Sequence, residues 1–408
     1  MFNSFQHYLS YGSTDQATMR ELKDSFNGLI VPGTIAAFQS EGTKGFVLTL
    51  SARSKEPYVI DSRFPLFQNK LKKPKKSHQM LAEILGVSHV LLKDGGVTPS
   101  DFTKDIIKTI AINWLKFNIN FDNVQSKTFD KYAKRLGEKI LSEDKERPLF
   151  VLPPYLMAKQ ADDGWAQVSN AIWEATVIEA RHVEELGLLR RVIAAESPRV
   201  WSELAAQVDD REIVAWVSDL DEFRVGSERD LVDYGEAIKA AAARGQSVFA
   251  LYGGFLAVLF ARFGLTGASH GIGFGEHRNW VELPSSGAPP ARFYLSILHR
   301  YVSVDIAQIL YEQFPDLVAC ACLECESKSP ISLEYHSLMR HSVYARAREI
   351  QEWSQLSTAD VTGRLLADYR RFNDAVESLN QPQKVIQRLE DNSLHLPMWA
   401  RILESIEH

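Results

Sequence analysis

All three cysteines of this 408-residue chain lie within six consecutive positions. Cys320, Cys322 and Cys325 form the pattern C-x-C-x-x-C in the stretch "LVACACLECES". A structural zinc site needs four ligands in a tetrahedron, and thiolates and imidazoles supply them. His336 and His341, in the downstream stretch "EYHSLMRHSVYARAREI", are the candidates for the fourth ligand. The alternative is three reduced and buried cysteines, which is less favoured because neighbouring thiols without a metal oxidise readily.

The composition is that of an ordinary globular protein, with 45% hydrophobic and 24% charged residues. The formal net charge of −6 does not mark the whole chain as a nucleic-acid binder, but it allows a local basic site. The sequence has no run of about 18 apolar residues, and its first residues lack the features of a signal peptide. We therefore expect no membrane contact and a cytoplasmic location, where clustered cysteines more often bind metals or react than form disulfides.

Strand-like and helix-like segments alternate along the chain. Short apolar runs with β-branched residues, typical of buried strands, cover residues 45–50, 58–60, 149–152, 213–217, 248–251, 270–274, 293–298 and 317–319. Helical patterns separate many of these runs, which predicts βαβ units and a parallel sheet covered on both faces. About eight strands predict an α/β fold of the (β/α)8 TIM-like barrel type with helical insertions. A doubly wound open sheet is the alternative.

The chain divides into two predicted parts. Residues 1–319 are expected to form the barrel, with a charged helical insertion at residues 101–148. Residues 320–408 are expected to hold the zinc-binding motif and a C-terminal helical region. Within that region, a long helix is predicted over residues 332–378 and a last helix over residues 399–406.

In a parallel barrel, the catalytic residues gather at the carboxyl ends of the strands. The polar residues and glycines that follow the predicted strands are Asp61, Ser62, Asp219, Asp221, Glu222, Tyr252, Gly253, Gly254, Gly273, Gly275, Glu276, His299 and Arg300. Carboxylates that face one mouth can supply a nucleophile and a general acid or base, and glycines let a flat ligand approach the backbone. Each Asp alone is well explained as a helix N-cap and each glycine as a turn, but their joint occurrence favours a site.

A basic run, "NKLKKPKKS", follows the Asp61 motif at residues 69–77. Its lysines are Lys70, Lys72, Lys73, Lys75 and Lys76. A basic loop near a barrel mouth can bind phosphates, and arginines near later strand ends would add to this contact: Arg278, Arg292 and Arg300. The alternative is a solvated surface loop, which is the usual role of a lysine run.

Six motifs in chain order resemble those of the queuine/archaeosine tRNA-guanine transglycosylases, and the likeness covers about residues 30–350. "VIDSRFPLFQ" resembles the family's strand that ends in Asp-Ser, and "IVAWVSDLDE" resembles its strand that delivers a base-recognising Asp. "LYGGFLAVLFARFG" is similar to its Gln-Gly-Gly motif, "GIGFGE" to its Gly-Leu-Ala-Val-Gly-Glu motif, and "RFYLSILH" to its "RYLMGVG" strand. The cysteine motif follows, and "RHSVYARAREI" resembles a helix of the archaeal enzymes, which supports His341 over His336.

The resemblance implies a TIM-barrel enzyme with a structural zinc ion bound by Cys320, Cys322, Cys325 and His341. It gives Asp61 a proton-transfer role beside Ser62. It gives Asp219 or Asp221 the recognition of the guanine edge. Gly253, Gly254, Gly273 and Glu276 would line the base pocket together with His299. Tyr252, which replaces the family's glutamine, would stack on the base or hydrogen-bond to it, and core packing is an equally good alternative.

The chain also departs from the family pattern. The nucleophilic Asp of the tRNA enzymes lies in a Phe-Asp-Cys context, but here Ala319 holds that position and Asp316 lies near it. One of Asp61, Asp219 and Asp221 would then be the nucleophile instead. The family's "SGGFQ" loop reads "SRFPLFQ" here, and the segment before the zinc site is short. These departures are most similar to the DNA-modifying, DpdA-like branch of the superfamily, which belongs to bacterial or phage modification systems.

The expected activity is therefore a base exchange that replaces guanine in DNA with a 7-deazaguanine, such as 7-cyano-7-deazaguanine, through a carboxylate-mediated glycosyl intermediate. The expected partners are DNA, with tRNA as an alternative, the incoming base and a partner subunit of a modification system. Two other functions remain open. One is a catalytically silent, zinc-stapled nucleic-acid-binding subunit, and the other is an unrelated TIM-barrel hydrolase that uses Glu276 and His299.

Overall fold

The structure is a computed structural model, and it describes residues 4–22, 25–71, 73–137, 140, 145–183, 188–273, 275–281, 290–326 and 328–408. Lys72 of the basic run and Phe274 of the "GIGFGE" motif lie outside the described residues. The described strands are β1 Gln6–Ser10, β2 Gly28–Pro32, β3 Tyr58–Asp61, β4 Phe150–Val151, β5 Met157–Ala158, β6 Leu188–Leu189, β7 Arg191–Ala195, β8 Glu212–Val217, β9 Ser247–Ala250, β10 Leu265–Gly271, β11 Arg292–Leu295 and β12 Arg300–Ser303.

Eight of these strands form one parallel sheet in the order β3-β2-β1-β10-β9-β8-β7-β5. Strand β1 pairs with β10, the last strand of this sheet along the chain. On one side of this pair lie β2 and β3, and on the other side lie β9, β8, β7 and β5. The short β4–β6 pair connects the edge strand β3 to the chain that enters β7, the neighbour of the other edge strand, β5. The backbone N–H of Leu149 donates to Tyr58 O at 2.9 Å, and that of Arg190 donates to Val151 O at 3.1 Å. The fold is thus α/β with a curled parallel sheet, as expected for a TIM-like architecture.

The strands separate two hydrophobic cores because alternate side chains point to opposite faces of a sheet. The inner core contains Tyr8, Ile30, Val59, Phe150, Leu152, Tyr155, Met157, Val192, Ala194, Val214, Trp216, Phe249, Leu251 and Trp280. Val59 and Met157 come from the two edge strands, so the curled sheet encloses this cluster. The intervening residues, such as Leu9 and Ile193, join a larger outer core under the helices. Burial on both faces explains why several strands are continuously apolar.

The described helices are α1 Gln16–Glu21, α2 Gly33–Phe38, α3 Ser40–Ser54, α4 Lys76–Ile84, α5 Ser88–Leu91, α6 Lys104–Ile119, α7 Ser126–Leu136, α8 Gly164–Ala180, α9 Pro198–Ala205, α10 Glu228–Ala243, α11 Phe255–Leu259, α12 Val304–Gln313, α13 Pro315–Val318, α14 Tyr335–Trp353, α15 Thr358–Glu377, α16 Gln383–Asp391 and α17 His395–Glu407. Helices α6 and α7 lie in the predicted insertion. Within the described residues, no helix combines the length and the apolar character needed to cross a membrane.

Three predicted strands are wrong. Residues 45–50 lie inside α3, where both faces are buried, and periodicity does not separate a buried helix from a buried strand. Residues 317–319 follow Pro315, which starts the short helix α13. Residues 293–298 begin in β11, but β11 pairs antiparallel with β12 in a hairpin outside the parallel sheet. The predicted strand over residues 149–152 is β4, which pairs with β6 outside the eight-stranded sheet. Strands β1, β2, β5 and β7, which were not predicted, complete that sheet.

The long helix predicted over residues 332–378 is two helices. Helix α14 ends at Trp353, and Ser357 starts α15 because its Oγ accepts a hydrogen bond from Asp360 N at 3.1 Å. Such an N-cap satisfies a backbone donor that the first turn leaves free. The break lets α15 pack against α17, its most extensive helical neighbour. The last helix, α17, begins four residues before the predicted one.

Candidate active site and metal centre

The cysteine turn and helix α14 bring four metal-binding side chains together. The ligand atoms of Cys320, Cys322, Cys325 and His341 all lie within 4.8 Å of one another. His341 Nδ1 is 3.3 Å from Cys325 Sγ and 3.5 Å from Cys322 Sγ. This donor set fits the tetrahedral thiolate and imidazole coordination of zinc. Because protein side chains supply all four donors, a bound ion would be structural.

The outer contacts of His341 favour metal binding through Nδ1. Its Nε2 lies 2.7 Å from the backbone carbonyl of Tyr294, which only accepts hydrogen bonds, so Nε2 carries the proton. Nδ1, which lies against the thiol groups, is then the nitrogen left to bind a metal, the usual arrangement of a ligating histidine. His336 Nδ1 instead lies 2.8 Å from Thr18 Oγ1. The geometry therefore selects His341, as the sequence predicted.

Asp61 ends β3 and is 1% exposed. Its Oδ1 accepts hydrogen bonds from the Tyr155 hydroxyl at 2.7 Å and from Arg63 N at 2.9 Å. Its Oδ2 has no hydrogen-bond partner among the described residues, and the nearest cation is Arg63 Nε at 3.7 Å. One carboxyl oxygen is thus held by two donors while the other is free. Ser62 is buried beside it, and its Oγ accepts from Phe64 N at 3.3 Å.

Aromatic rings and two arginines surround Asp61. The ring of Trp216, on β8, packs against those of Tyr155 and Tyr252 with centroid distances of 6.1 and 5.3 Å. Arg278 Nη1 donates to the Tyr252 hydroxyl at 3.2 Å, and the guanidinium lies 5.8 Å from that ring's centroid. Burial raises the pKa of Tyr155 well above its usual value, so its hydroxyl remains a donor to Asp61. These residues form a polar and aromatic cluster at the end of the inner core.

The loop after β8 presents Asp219 and Asp221 on the same side of the sheet. Asp219 adopts a left-handed backbone with φ of 51°, and its N–H donates to Arg278 O at 3.0 Å. Its carboxylate pairs with the exposed Arg224 at 3.4 Å. Asp221 lies 3.8 Å from His277 Nδ1. The loop after β8 is thus joined to the loop after β10, which carries both His277 and Arg278.

A cavity of about 180 Å³ lies between these loops and the β11–β12 hairpin. Its lining is Asp221, Phe223, Gly275, Glu276, His277, Arg292, Arg300 and Tyr301. Three predicted site residues, Asp221, Glu276 and Arg300, therefore face one cavity. Two contacts fix the position of the Arg300 side chain: Nη1 donates to Asn392 O at 3.1 Å, and the guanidinium stacks over Phe223.

Two buried glutamates, Glu222 and Glu276, press against Gly254. A Cβ atom on residue 254 would lie 2.2 Å from Glu222 Oε1 and 2.8 Å from Glu276 Cδ, so a larger residue there would displace these carboxyl groups. Glu222 accepts hydrogen bonds from Phe255 N at 3.0 Å and Leu256 N at 3.2 Å. Burial, and then the charge of Glu276, raise the pKa of Glu222 to about 8. Burial, opposed by Arg346, raises the pKa of Glu276 to about 7.

The glutamate pair is connected to helix α14. Arg346 Nη2 contacts Glu276 Oε1 at 2.6 Å, and Arg346 Nε lies 3.6 Å from Glu349 Oε2. His299 is 3% exposed, stacks on Phe255 at 3.7 Å and contacts Glu349 through Nδ1 at 2.6 Å. The helix that supplies His341 to the metal centre therefore also positions a carboxyl group at the strand ends. His299 reaches that carboxyl only through Glu349 and Arg346 within the described residues.

The glutamate pair predicts a pH-dependent free energy of unfolding. In the folded state these carboxyl groups keep protons that they lose near pH 4.5 when unfolded, so their stabilising effect is complete at low pH and is lost as pH rises through 7 and 8. We expect Glu276→Gln to raise the unfolding temperature relative to the wild type at about pH 9. At about pH 5 it should change that temperature little, because the wild-type residue is then protonated.

The readout is the difference between variant and wild type at each pH, measured by thermal unfolding. Buried His7 and His270 have lowered pKa values and titrate with the opposite sign, so the wild-type curve alone mixes both effects. Glu312→Gln, at an exposed helical position, is the control and should show no such trend. A Glu276→Gln difference that is constant from pH 5 to 9 would refute the prediction.

The remaining predicted residues lie around this end of the sheet. Gly253 N donates to Ser269 O at 3.1 Å, and Gly273 has φ of 74° with no room for a Cβ beside Met339. The described lysines of the basic run are exposed: Lys70, Lys73, Lys75 and Lys76. Asn69, the first residue of the run, contacts the segment that follows β10, because its Nδ2 donates to Trp280 O at 2.9 Å.

Several residues of this arrangement were missed by sequence reasoning. Arg63 directly follows Asp-Ser, but its contribution depends on a left-handed backbone with φ of 50°. Tyr155 lies in a loop, "PPYLM", that carries no strand or helix pattern. Trp216 sits inside β8, where its type alone signals only a buried strand. Arg346 lies on a helix more than sixty residues from the strand that it meets, and no local pattern reports such a contact.

No known family model and no curated protein matches the chain. Among solved structures, it is similar to a modular endo-β-1,4-mannanase from Cellulomonas fimi, with 8% identity and a TM-score of 0.35 over 70% of this chain and 68% of that one. It is also similar to a nitroalkane oxidase from Streptomyces ansochromogenes, with 8% identity and a TM-score of 0.27 over 99% of this chain and 96% of that one. Likenesses at this level carry no argument about function.

Proposed function

We propose that this chain is a base-exchange transglycosylase that replaces guanine in DNA with a 7-deazaguanine through a glycosyl intermediate on Asp61. The observation that supports it is the Asp61 carboxyl group, with Oδ1 held by Tyr155 and Arg63 and Oδ2 buried without a hydrogen-bond partner among the described residues. An oriented carboxylate with one unengaged oxygen is suited to nucleophilic attack at a sugar carbon. The neighbouring half-buried Tyr252 ring, which packs against Trp216, would offer a stacking surface for a base taken out of the duplex.

The proposed exchange has two displacements. Asp61 Oδ2 bonds to C1′ as the C1′–N9 bond to guanine breaks, and the departing N9 takes up a proton. The incoming deazaguanine then gives up its N9 proton, bonds to C1′ and releases Asp61. One proton is gained and one is lost, so a single carrier suffices. We propose Glu276 for that role, because its pKa of about 7 allows both steps at neutral pH. Glu276 and Asp221 line the cavity beside the β11–β12 hairpin, where Asp221 would read the guanine edge.

The wider architecture is part of the same proposal. We infer that the curled sheet is a closed (β/α)8 barrel, because the Leu149–Tyr58 hydrogen bond joins the edge strand β3 to β4, and β4 pairs with β6, which leads directly into β7. The Cys320, Cys322, Cys325 and His341 cluster would hold a structural zinc ion that staples the C-terminal region. The chemistry at C1′ would then depend on barrel residues alone.

The direct test incubates zinc-loaded protein with guanine-containing duplex DNA, and separately with tRNA, in the presence of 7-cyano-7-deazaguanine. Nucleosides are then analysed by mass spectrometry. A modified deoxynucleoside supports the proposal. Modification of tRNA alone would replace DNA with RNA as the substrate and contradict the DNA assignment.

A silent nucleic-acid-binding subunit is the second candidate. Ala319, at the position of the family nucleophile, directly follows helix α13, and the nearby Asp316 on that helix is exposed. The segment around α13 therefore supplies no carboxylate to the strand ends within the described residues. DNA binding without exchange on either substrate would favour this candidate over the enzyme.

Tyr155→Phe tests how far the exchange depends on the held oxygen of Asp61. Loss of the hydroxyl removes a short hydrogen bond to a carboxylate, so we expect a fall of about 10- to 100-fold in the exchange rate. Tyr58→Phe is a matched control, since it removes another buried hydroxyl, one that donates to Glu146 O at 2.9 Å. Equal rates for the two variants would show that the Tyr155–Asp61 bond has no part in the reaction.

A further inference from the structure

Arg63 and Arg278 share a single carboxylate at the strand ends. Asp61 is the one carboxylate that the described residues place within 4.0 Å of Arg63, and none of them lies that close to Arg278. Arg278 contacts the neutral hydroxyl of Tyr252 instead. Burial, and then the charge of Arg278, lower the pKa of Arg63, so the two guanidinium groups lie near enough to repel. The two guanidinium groups of Arg63 and Arg278 therefore exceed the single negative charge of Asp61, and this cluster carries a net positive charge.

The Arg63 side chain has a buried donor that no described residue uses in a hydrogen bond. Its Nε is buried and has no hydrogen-bond partner in the described part of the chain, and the side chain is only 16% exposed. Its backbone is held in the left-handed region by the hydrogen bond from its N–H to Asp61. Strained backbone and unpaired buried donors of this kind occur where a ligand completes the site.

We propose that Arg63 and Arg278 bind a phosphodiester group next to the nucleotide whose base is exchanged, an assignment that rests on the proposed function. Planar guanidinium groups match phosphate oxygens with paired hydrogen bonds. A phosphate in this position stands one sugar away from a C1′ carbon that reaches Asp61, with the base against Tyr252. The exposed Lys70 and Lys73 then meet more distant phosphates of the same strand. The pocket therefore selects a nucleotide within a strand over a free nucleoside.

The test measures binding, so it does not depend on exchange. A fluorescent duplex with a single G·C pair is titrated by anisotropy at several salt concentrations. We expect Arg63→Gln and Arg278→Gln each to weaken binding by about 10-fold or more, and to reduce the slope of log K against log salt by about one. Arg63→Lys should keep the slope of log K against log salt, because the positive charge remains, while its affinity for the duplex falls. A variant that is merely misfolded would not keep that slope. Arg190→Gln, which breaks an ion pair with Glu212 at the amino-terminal ends of β7 and β8, is the control.

The same duplex carries an uncharged methylphosphonate beside the guanine or at a distant position. Next to the guanine, it should weaken wild-type binding about 10-fold and leave Arg63→Gln and Arg278→Gln unaffected. Wild-type binding that ignores the position of the methylphosphonate would overturn the assignment. Position-dependent binding without base exchange would keep the phosphate site and reject the enzyme. Base exchange in which binding does not depend on the position of the methylphosphonate would keep the enzyme and reject the phosphate site.

Discussion

Asp61→Asn should reduce base exchange by about 1,000-fold or more while the protein stays folded. Asparagine keeps an oxygen that accepts from Tyr155 and Arg63 N, so the local structure is retained. It lacks the second carboxyl oxygen, and an amide is a poor nucleophile toward a sugar carbon. Loss of a nucleophile typically costs several orders of magnitude in rate. The measurement is the initial rate of deazaguanine incorporation into duplex DNA.

A covalent adduct distinguishes the nucleophile from a proton carrier. Without incoming base, wild-type protein should form a protein–DNA species that survives denaturing electrophoresis, and Asp61→Asn should not. Asp316→Asn is the matched control, because this exposed carboxylate lies nearest to the position of the family nucleophile. An adduct that persists in Asp61→Asn and disappears in Asp316→Asn would move the nucleophile to α13. An adduct lost only in Asp221→Asn would move it to the loop after β8.

The parallel sheet was predictable because its core strands are short, apolar and separated by helical patterns. Strands β8 and β9 lie where the sequence placed them, since burial on both faces leaves an uninterrupted apolar run. Strand β1, "QHYLS", escaped notice because His7 and Ser10 interrupt that run. His7 is nevertheless buried, with its Nε2 2.8 Å from His270 Nε2 across the β1–β10 pair. His7 is buried against His270, which lies 263 residues further along the chain, and the sequence around His7 does not indicate this contact.

The site shows the same division between local and distant information. The metal ligands were predictable because three lie in one turn and the fourth on the next long helix. Asp61 was predictable because it ends a strand. The groups that make Asp61 distinctive were not, since Tyr155 arrives from another strand connection and Arg63 needs a left-handed backbone. Chemistry-bearing residue types can be located by sequence, whereas their partners depend on how loops from different strands meet.

His341→Ala should abolish zinc binding and lower the unfolding temperature by roughly 10 °C or more. A tetrahedral site that loses its imidazole keeps three thiol groups crowded together, and binding free energy that stabilised the fold is lost. The effect extends beyond the cysteine turn. Helix α14 also carries Arg346, whose contact with Glu276 reaches the strand ends, so that helix should loosen as well.

His336→Ala is the matched control for this prediction. His336 lies on the same helix and contacts Thr18, outside the cysteine cluster. It should retain about one zinc ion per chain by atomic emission, whereas His341→Ala should retain almost none. Removal of zinc from the wild type with a chelator should reproduce the His341→Ala unfolding curve, because both disrupt the same four-ligand site. If His341→Ala kept its zinc, or if His336→Ala lost it, the fourth ligand would be another residue and α14 would not be anchored through the metal.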